Sequence, residues 1–114
     1  IDEIRIKALF ESEKIHLDDT LNLDQFAAKL QLPKKYVSDL INQSMGCSFK
    51  ELLNTYRIEE ALQIMQQNIA PRKSLIDIAY SCGYTNKVSF YRSFKKKMGV
   101  APSDYYQKLG SSMS

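Results

Sequence analysis

The chain has 114 residues, 44% hydrophobic and 25% charged, enough for one domain or for two small lobes sharing a connection. Four glycines, three prolines and the lack of any alternating apolar run point away from strands and toward an all-α protein, while no uncharged stretch approaches the length of a membrane span and no signal-peptide pattern opens the chain. The net charge of +3 conceals an asymmetry: residues 1–70 carry 8 Lys/Arg against 11 Asp/Glu, or −3, and residues 71–114 carry 8 against 2, or +6. A segment with the second balance seeks a polyanion. The chain begins at Ile1 rather than Met, which points to a piece of something longer. Cys47 and Cys82 both stand in apolar context and read as reduced intracellular thiols, not a disulfide.

In chain order, the spacing predicts a helix over 3–15, with Ile4, Leu9 and Phe10 inward and Glu11, Glu13 and Lys14 solvated, then a polar loop from His16 to Thr20. Asn22 offers an N-cap with Gln25 three residues on, and that helix ends near Leu30. Pro33 opens a third helix, about 34–45, burying Val37, Leu40, Ile41 and Met45 and stopped by Gly46. Ser48 with Glu51 is a capping box for a long helix to about Gln67, whose inward residues are Leu52, Tyr56, Ala61, Leu62 and Met65. Asn68 to Lys73, containing Pro71, reads as a hinge-like connection. Ser74 with Asp77 starts the next helix and Gly83 ends it. Thr85 or Asn86 then caps a helix over about 87–98 that buries Phe90, Phe94 and Met98, and Gly99 stops it. Pro102 begins a last short helix to about Leu109, with a frayed tail from Gly110 onward.

Within this series one device is written twice. Leu23, Phe26, Ala27 and Leu30 occupy i, i+3, i+4 and i+7, and so do Leu75, Ile78, Ala79 and Cys82, 52 positions later. Each set is followed by a tight turn and a longer helix with a solvated face. The expected architecture is therefore all-α, about seven helices forming two helix-turn-helix subdomains, 1–67 with the linker helix and 68–114. Such a device suits the reading of DNA.

Stepping about 100° per residue from an inward Val37 turns Lys35, Ser38, Asp39 and Asn42 outward. The same step from Phe90 turns out Val88, Tyr91, Arg92 and Lys95, four positions that correspond one to one with the first set. A major groove admits one α-helix. There Arg92 can take guanine O6 and N7 together, Lys35 can take them singly, Asn42 suits adenine and Val88 a thymine methyl. Lys34, Lys87, Lys95, Lys96 and Lys97 suit phosphates. Asp39 either accepts from cytosine N4 or weakens the first lobe's hold, and Lys35, four residues earlier on the same face, is close enough to keep the carboxylate off the backbone. A linker of about 20 residues spans ~30 Å, near the ~34 Å between successive major-groove faces.

Other functions are poorly served. His16 is the only histidine, and the two cysteines lie on apolar faces, so no zinc site and no Cys/His pair can be assembled. Glu11, Glu13, Asp18 and Asp19 read as solvated or capping carboxylates, so neither an enzyme nor a cofactor is expected. A helical protein-interaction module is the alternative, and it would show no steep salt dependence toward duplex DNA.

Ile78-Ala79, Cys82-Gly83-Tyr84, Ser89-Phe90, Arg92-Ser93-Phe94-Lys95-Lys96, Gly99 and Pro102-Ser103-Asp104-Tyr105 together resemble the C-terminal signature of the AraC/XylS family of bacterial transcription regulators. The weaker first device, with Tyr56-Arg57-Ile58 and Ala61-Leu62, extends the resemblance to residues 18–109. It implies seven helices in two helix-turn-helix lobes, binding to double-stranded promoter DNA in the cytoplasm, RNA polymerase as a partner, and a sensory or dimerisation domain N-terminal to Ile1. It also implies base reading by Lys35, Ser38 and Asp39 in the first lobe and by Lys87, Val88, Tyr91 and Arg92 in the second. The sequence departs from the family's pattern at Gln31, where the turn often has Gly, at Asp39, where a basic residue is common, and at Ala101, where a hydroxyl cap usually precedes the proline.

Overall fold

The local rules written into the sequence are met in a computed structural model, which describes residues 1–67 and 71–113. The helices are α1 (Asp2–Glu11), α2 (Leu23–Leu30), α3 (Lys34–Met45), α4 (Phe49–Gln66), α5 (Leu75–Ser81), α6 (Lys87–Met98) and α7 (Pro102–Met113), with a 3-10 turn at Ile15–Leu17. There is no strand among the described residues. Starts follow the expected caps: Asn22 Oδ1 accepts from Gln25 N, Ser74 Oγ from Asp77 N and Asn86 Oδ1 from Ser89 N. Ser48 and Glu51 make both bonds of a capping box, at 3.1 and 3.0 Å. Gly46 and Gly99, at φ +69° and +80°, end α3 and α6 in the left-handed region.

Two compact units result, residues 1–56 and 57–114. The first packs Ile6, Leu9, Phe10, Phe26, Ala27, Leu30, Val37, Ile41, Leu52 and Leu53. The second packs Ile58, Ala61, Met65, Ile78, Ala79, Cys82, Tyr84, Phe90 and Phe94. Turn-formers draw the eye to 67/68 as a boundary, but the division falls inside α4. Leu52 and Leu53 of that helix belong to the first core, and Ile58, Ala61 and Met65 to the second. It is at once the last helix of the first unit and the first helix of the second. The repeat accordingly includes the helix before each device: Arg5-Ile6 in α1 and Arg57-Ile58 in α4 are also 52 positions apart, and both isoleucines are fully buried.

Several expected details differ. Helix α1 stops at Glu11, not 15, because the chain reverses at Lys14 (φ 52°) and the 3-10 turn carries His16 into the core. His16, expected in a polar loop, is only 4% exposed and lies against Phe10 and Tyr56, which stack on each other at 4.4 Å. Ile4, expected inward, is 70% exposed, and Ile6, two residues or about 200° further round, takes its place. Helix α7 runs through Gly110, expected to begin the tail, to Met113. A Cβ at Gly110 would meet the Arg72 guanidinium at 2.7 Å, so a glycine suits a helix with an arginine lying across it. Part of the connection expected over 68–73, and the last residue of the tail, lie outside the described residues. At the described end of that connection, Arg72 stands 3.8 Å over the Tyr106 ring and donates to the Tyr106 carbonyl, while Tyr106 Oη donates to the Lys73 carbonyl. Neither cysteine is in a disulfide. Cys47 is half-buried in the turn before α4. Cys82 is fully buried, and burial pushes its thiol up to about 12.

Candidate nucleic-acid interface

In the first unit, α2, the turn Gln31–Pro33 and α3 form one helix-turn-helix. Gln31 takes the left-handed conformation at φ 58° without being glycine, and its N–H and that of Leu32 return to the carbonyls of Ala28 and Ala27. With Val37 and Ile41 fully buried, α3 turns Lys35, Asp39 and Asn42 to solvent and leaves Ser38 half-buried. Lys35, Asp39 and Asn42 already have partners within the chain. Lys35 Nζ and Asp39 Oδ2 are paired at 3.1 Å with Lys35 88% exposed, and Lys34 Nζ meets Asp24 Oδ1 of α2 at 3.2 Å. Asn42 Nδ2 donates to the Ser38 carbonyl of its own helix at 3.0 Å.

In the second unit, α5 leads through Cys82–Asn86 to α6. Phe90 and Phe94 are fully buried and meet edge to face at 5.8 Å. Tyr84 in the turn is 5% exposed, packs on Phe90 and lies under the Arg57 guanidinium, and burial pushes its phenol up to about 12. These contacts fix the inner face of α6 and so its outer one. Val88 is 65% exposed, with Arg92 and Lys95 outward on the same side of the helix, and Lys87, Lys96 and Lys97 are exposed elsewhere along it. Tyr91 is half-buried, edge-on to Phe90, with Lys87 Nζ 5.0 Å over its ring. Among the described residues no carboxylate lies within ion-pair distance of these five cations. Lys95–Lys97 also stand in the last turn of α6, where the helix dipole favours positive charge.

The units therefore present the same geometry with different electrostatics. By structural unit the formal charge is −2 for residues 1–56, from 7 Lys/Arg and 9 Asp/Glu, and +5 for residues 57–114, from 9 and 4. On α3 the candidate cations are partly neutralised within the chain, whereas on α6 they are not. Among the described residues there is no group of three His, Cys, Asp or Glu placed to hold a metal ion, and no helix is long and apolar enough to cross a membrane.

Sequence reasoning missed residues behind the exposed face. Asp2 and Arg5 of α1 contact α3 and the end of α2: Tyr36 Oη donates to Asp2 Oδ2 at 2.8 Å, and Arg5 Nη2 donates to the Leu30 carbonyl at 2.6 Å. The offset shared by Arg5 and Arg57 was the available signal, since each arginine leads its unit's helix-turn-helix and reaches its turn region.

Residues 26–108 match the helix-turn-helix domain family. Among similar proteins is an uncharacterised HTH-type transcriptional regulator, YtdP, of Bacillus subtilis, 35% identical over 102 residues that make up 90% of this chain and 12% of that protein. The C-terminal domain of AraT, a response regulator from Geobacillus stearothermophilus, is 32% identical with a TM-score of 0.74, over 83% of this chain and 76% of that one. The DNA-binding domain of the global transcriptional factor AdpA, solved in complex with a target DNA, shares the fold at 19% identity and a TM-score of 0.78, over 96% of this chain and 92% of that one. The chain spans 12% to 39% of the length of the first curated relatives it matches.

Proposed function

The chain belongs to the AraC-type helix-turn-helix family, and from that premise we propose that it binds double-stranded DNA sequence-specifically as the DNA-binding part of a bacterial transcription regulator, one recognition helix to a major-groove segment. The observation that carries this reading is the exposed surface of α6, where outward Val88, Arg92 and Lys95 are joined along the helix by exposed Lys87, Lys96 and Lys97, and among the described residues no carboxylate lies in pairing distance of these five cations. A face merely kept soluble would mix its signs, and this one supplies a groove reader and phosphate donors together. Arg92 and Val88 are assigned to base edges with Tyr91 and Lys87 beside them, and Lys95, Lys96 and Lys97 to phosphates. On α3 Lys35, Ser38, Asp39 and Asn42 face bases and Lys34 a phosphate. The proposal extends to action in the cytoplasm, to RNA polymerase as a partner and to a sensory or dimerisation domain elsewhere in a longer protein, in keeping with relatives several times this chain's length.

Selection from random duplexes tests it. The wild-type chain is expected to enrich a site with two conserved segments, and a pool without enrichment would contradict specific binding. The same selection with Asp39→Asn addresses the first unit. Because Lys35 is already held by Asp39, phosphates and bases must compete with a carboxylate for it. Removing that carboxylate is expected to tighten binding to all sequences by about two- to five-fold, the range of an exposed ion pair. Loss of preference for a C·G pair would instead make Asp39 a cytosine reader.

A further inference from the structure

Helix α1 has no counterpart in a minimal helix-turn-helix, yet it is tied to both arms of the first one. Asp2, in its first turn, uses its two oxygens separately. Oδ2 accepts from Tyr36 Oη of α3 at 2.8 Å, and Oδ1 faces Arg5 Nη1 at 3.5 Å. Arg5 then donates through Nη2 to the carbonyl of Leu30, the last residue of α2, at 2.6 Å. The polar path Tyr36–Asp2–Arg5–Leu30 thus spans the turn Gln31–Pro33 from outside. Each link is chemically sensible where it stands. A carboxylate in a helix's first turn is favoured by the dipole, and the final carbonyls of α2 lack helical donors, which a guanidinium supplies. The turn it spans is the one with non-glycine Gln31 in the left-handed region, where a bulky residue is least at ease. The Tyr36 phenol is held above its ordinary range by its bond to Asp2, so at neutral pH it remains the donor.

This bridge is not part of the core. Tyr36 is 45% exposed, and the side chains of Arg5 and Asp2 are 44% and 31% exposed. Ile6, Leu9 and Phe10 already attach α1 to the apolar cluster. What the polar path adds is direction, because Tyr36 is the neighbour of Lys35 and lies one turn before Asp39 and Leu40 on the recognition helix. We propose that Asp2 and Arg5 are positioning residues for base reading by the first unit, fixing α3 against the turn that precedes it through Tyr36 and the Leu30 carbonyl. This inference rests on the DNA-reading function proposed above.

The test uses three duplexes: the selected site, and that site with each of its two segments scrambled in turn. Asp2→Ala and Tyr36→Phe are each expected to weaken binding to the selected site about two- to five-fold, and the double variant by no more than the worse single one, because both break the same link. Those losses should vanish on one scrambled duplex, the one on which the loss from Lys35→Ala also vanishes, with thermal unfolding midpoints close to wild type throughout. Equal losses on all three duplexes, or a double variant whose loss is the product of the two singles, would overturn the positioning role and leave the two residues as general stabilisers of the unit. A wild-type chain that binds all three duplexes alike would overturn the DNA-reading function itself.

Discussion

Raising the salt concentration from about 50 to about 200 mM is expected to weaken binding of this chain to its selected duplex roughly a thousand-fold. Lys87, Arg92, Lys95, Lys96 and Lys97 are exposed and clear of carboxylates, and Lys34 adds a sixth cation already shared with Asp24. On the order of six phosphates neutralised, each releasing close to one counterion, gives a slope of log K against log salt near −5, and a fourfold change in salt then amounts to about three powers of ten. Because the cations gather on one helix of one +5 unit, the slope should survive loss of the first unit's basic side chains far better than loss of α6's. A fluorescence-anisotropy series over that range measures it. A slope near zero would leave a protein groove as the better partner for these helices, since apolar docking carries no such counterion release.

Arg92→Ala is expected to cost about 1–3 kcal/mol, roughly five- to 150-fold, and to relax preference at one base pair while leaving the other positions intact. The side chain is exposed on a helix whose inward face is locked by Phe90 and Phe94, so its truncation leaves the core untouched. Lys96→Ala should behave differently, weakening all sequences alike and lowering the salt slope by about one. Lys35→Ala should lose less than Arg92→Ala, because the ammonium it removes was partly neutralised by Asp39 before any DNA arrived. Equal losses for the two would mean that the intrahelical pair opens at no cost and that the units contribute alike. Titrations with single-position variants of the selected site separate the loss of a base contact from the loss of a phosphate contact.

The parts of this architecture that depend on neighbouring residues could be read directly from the chain. Caps at Asn22, Ser48, Ser74 and Asn86, the stops at Gly46 and Gly99, and the bounds 34–45 and 87–98 of the two recognition helices depend only on local chemistry. The outer faces followed in turn, since one buried residue and a fixed angle place the others. Where local rules failed, a distant partner decided the outcome. His16 looked solvated among polar neighbours, and its burial depends on Phe10 and Tyr56, the latter 40 positions away. Gly110 looked like a stop and is instead a helical residue beneath Arg72. In α4, a helix belonging to two cores has no single apolar stripe, so Leu53 and Ile58 escaped a search for one. The ties of Asp2 and Arg5 to Tyr36 and Leu30 are of the same kind: nothing in their spacing announces them, and they exist only once α1 has packed.

The two thiols make the chain its own stopwatch. Cys47 is half-buried in the first unit, and Cys82, fully buried in the second, is held protonated at neutral pH by burial that lifts it to about 12. An alkylating reagent near pH 7.5 should therefore modify Cys47 in the folded chain and reach Cys82 only when the second unit opens. The lag between the two, followed by mass spectrometry, measures how often that unit breathes. Adding the selected duplex should stretch the Cys82 lag if DNA is held there, reporting occupancy of α6 without a dye or an engineered residue. Cys82 modified as fast as Cys47 would show instead that the second core opens freely on the timescale of the reagent.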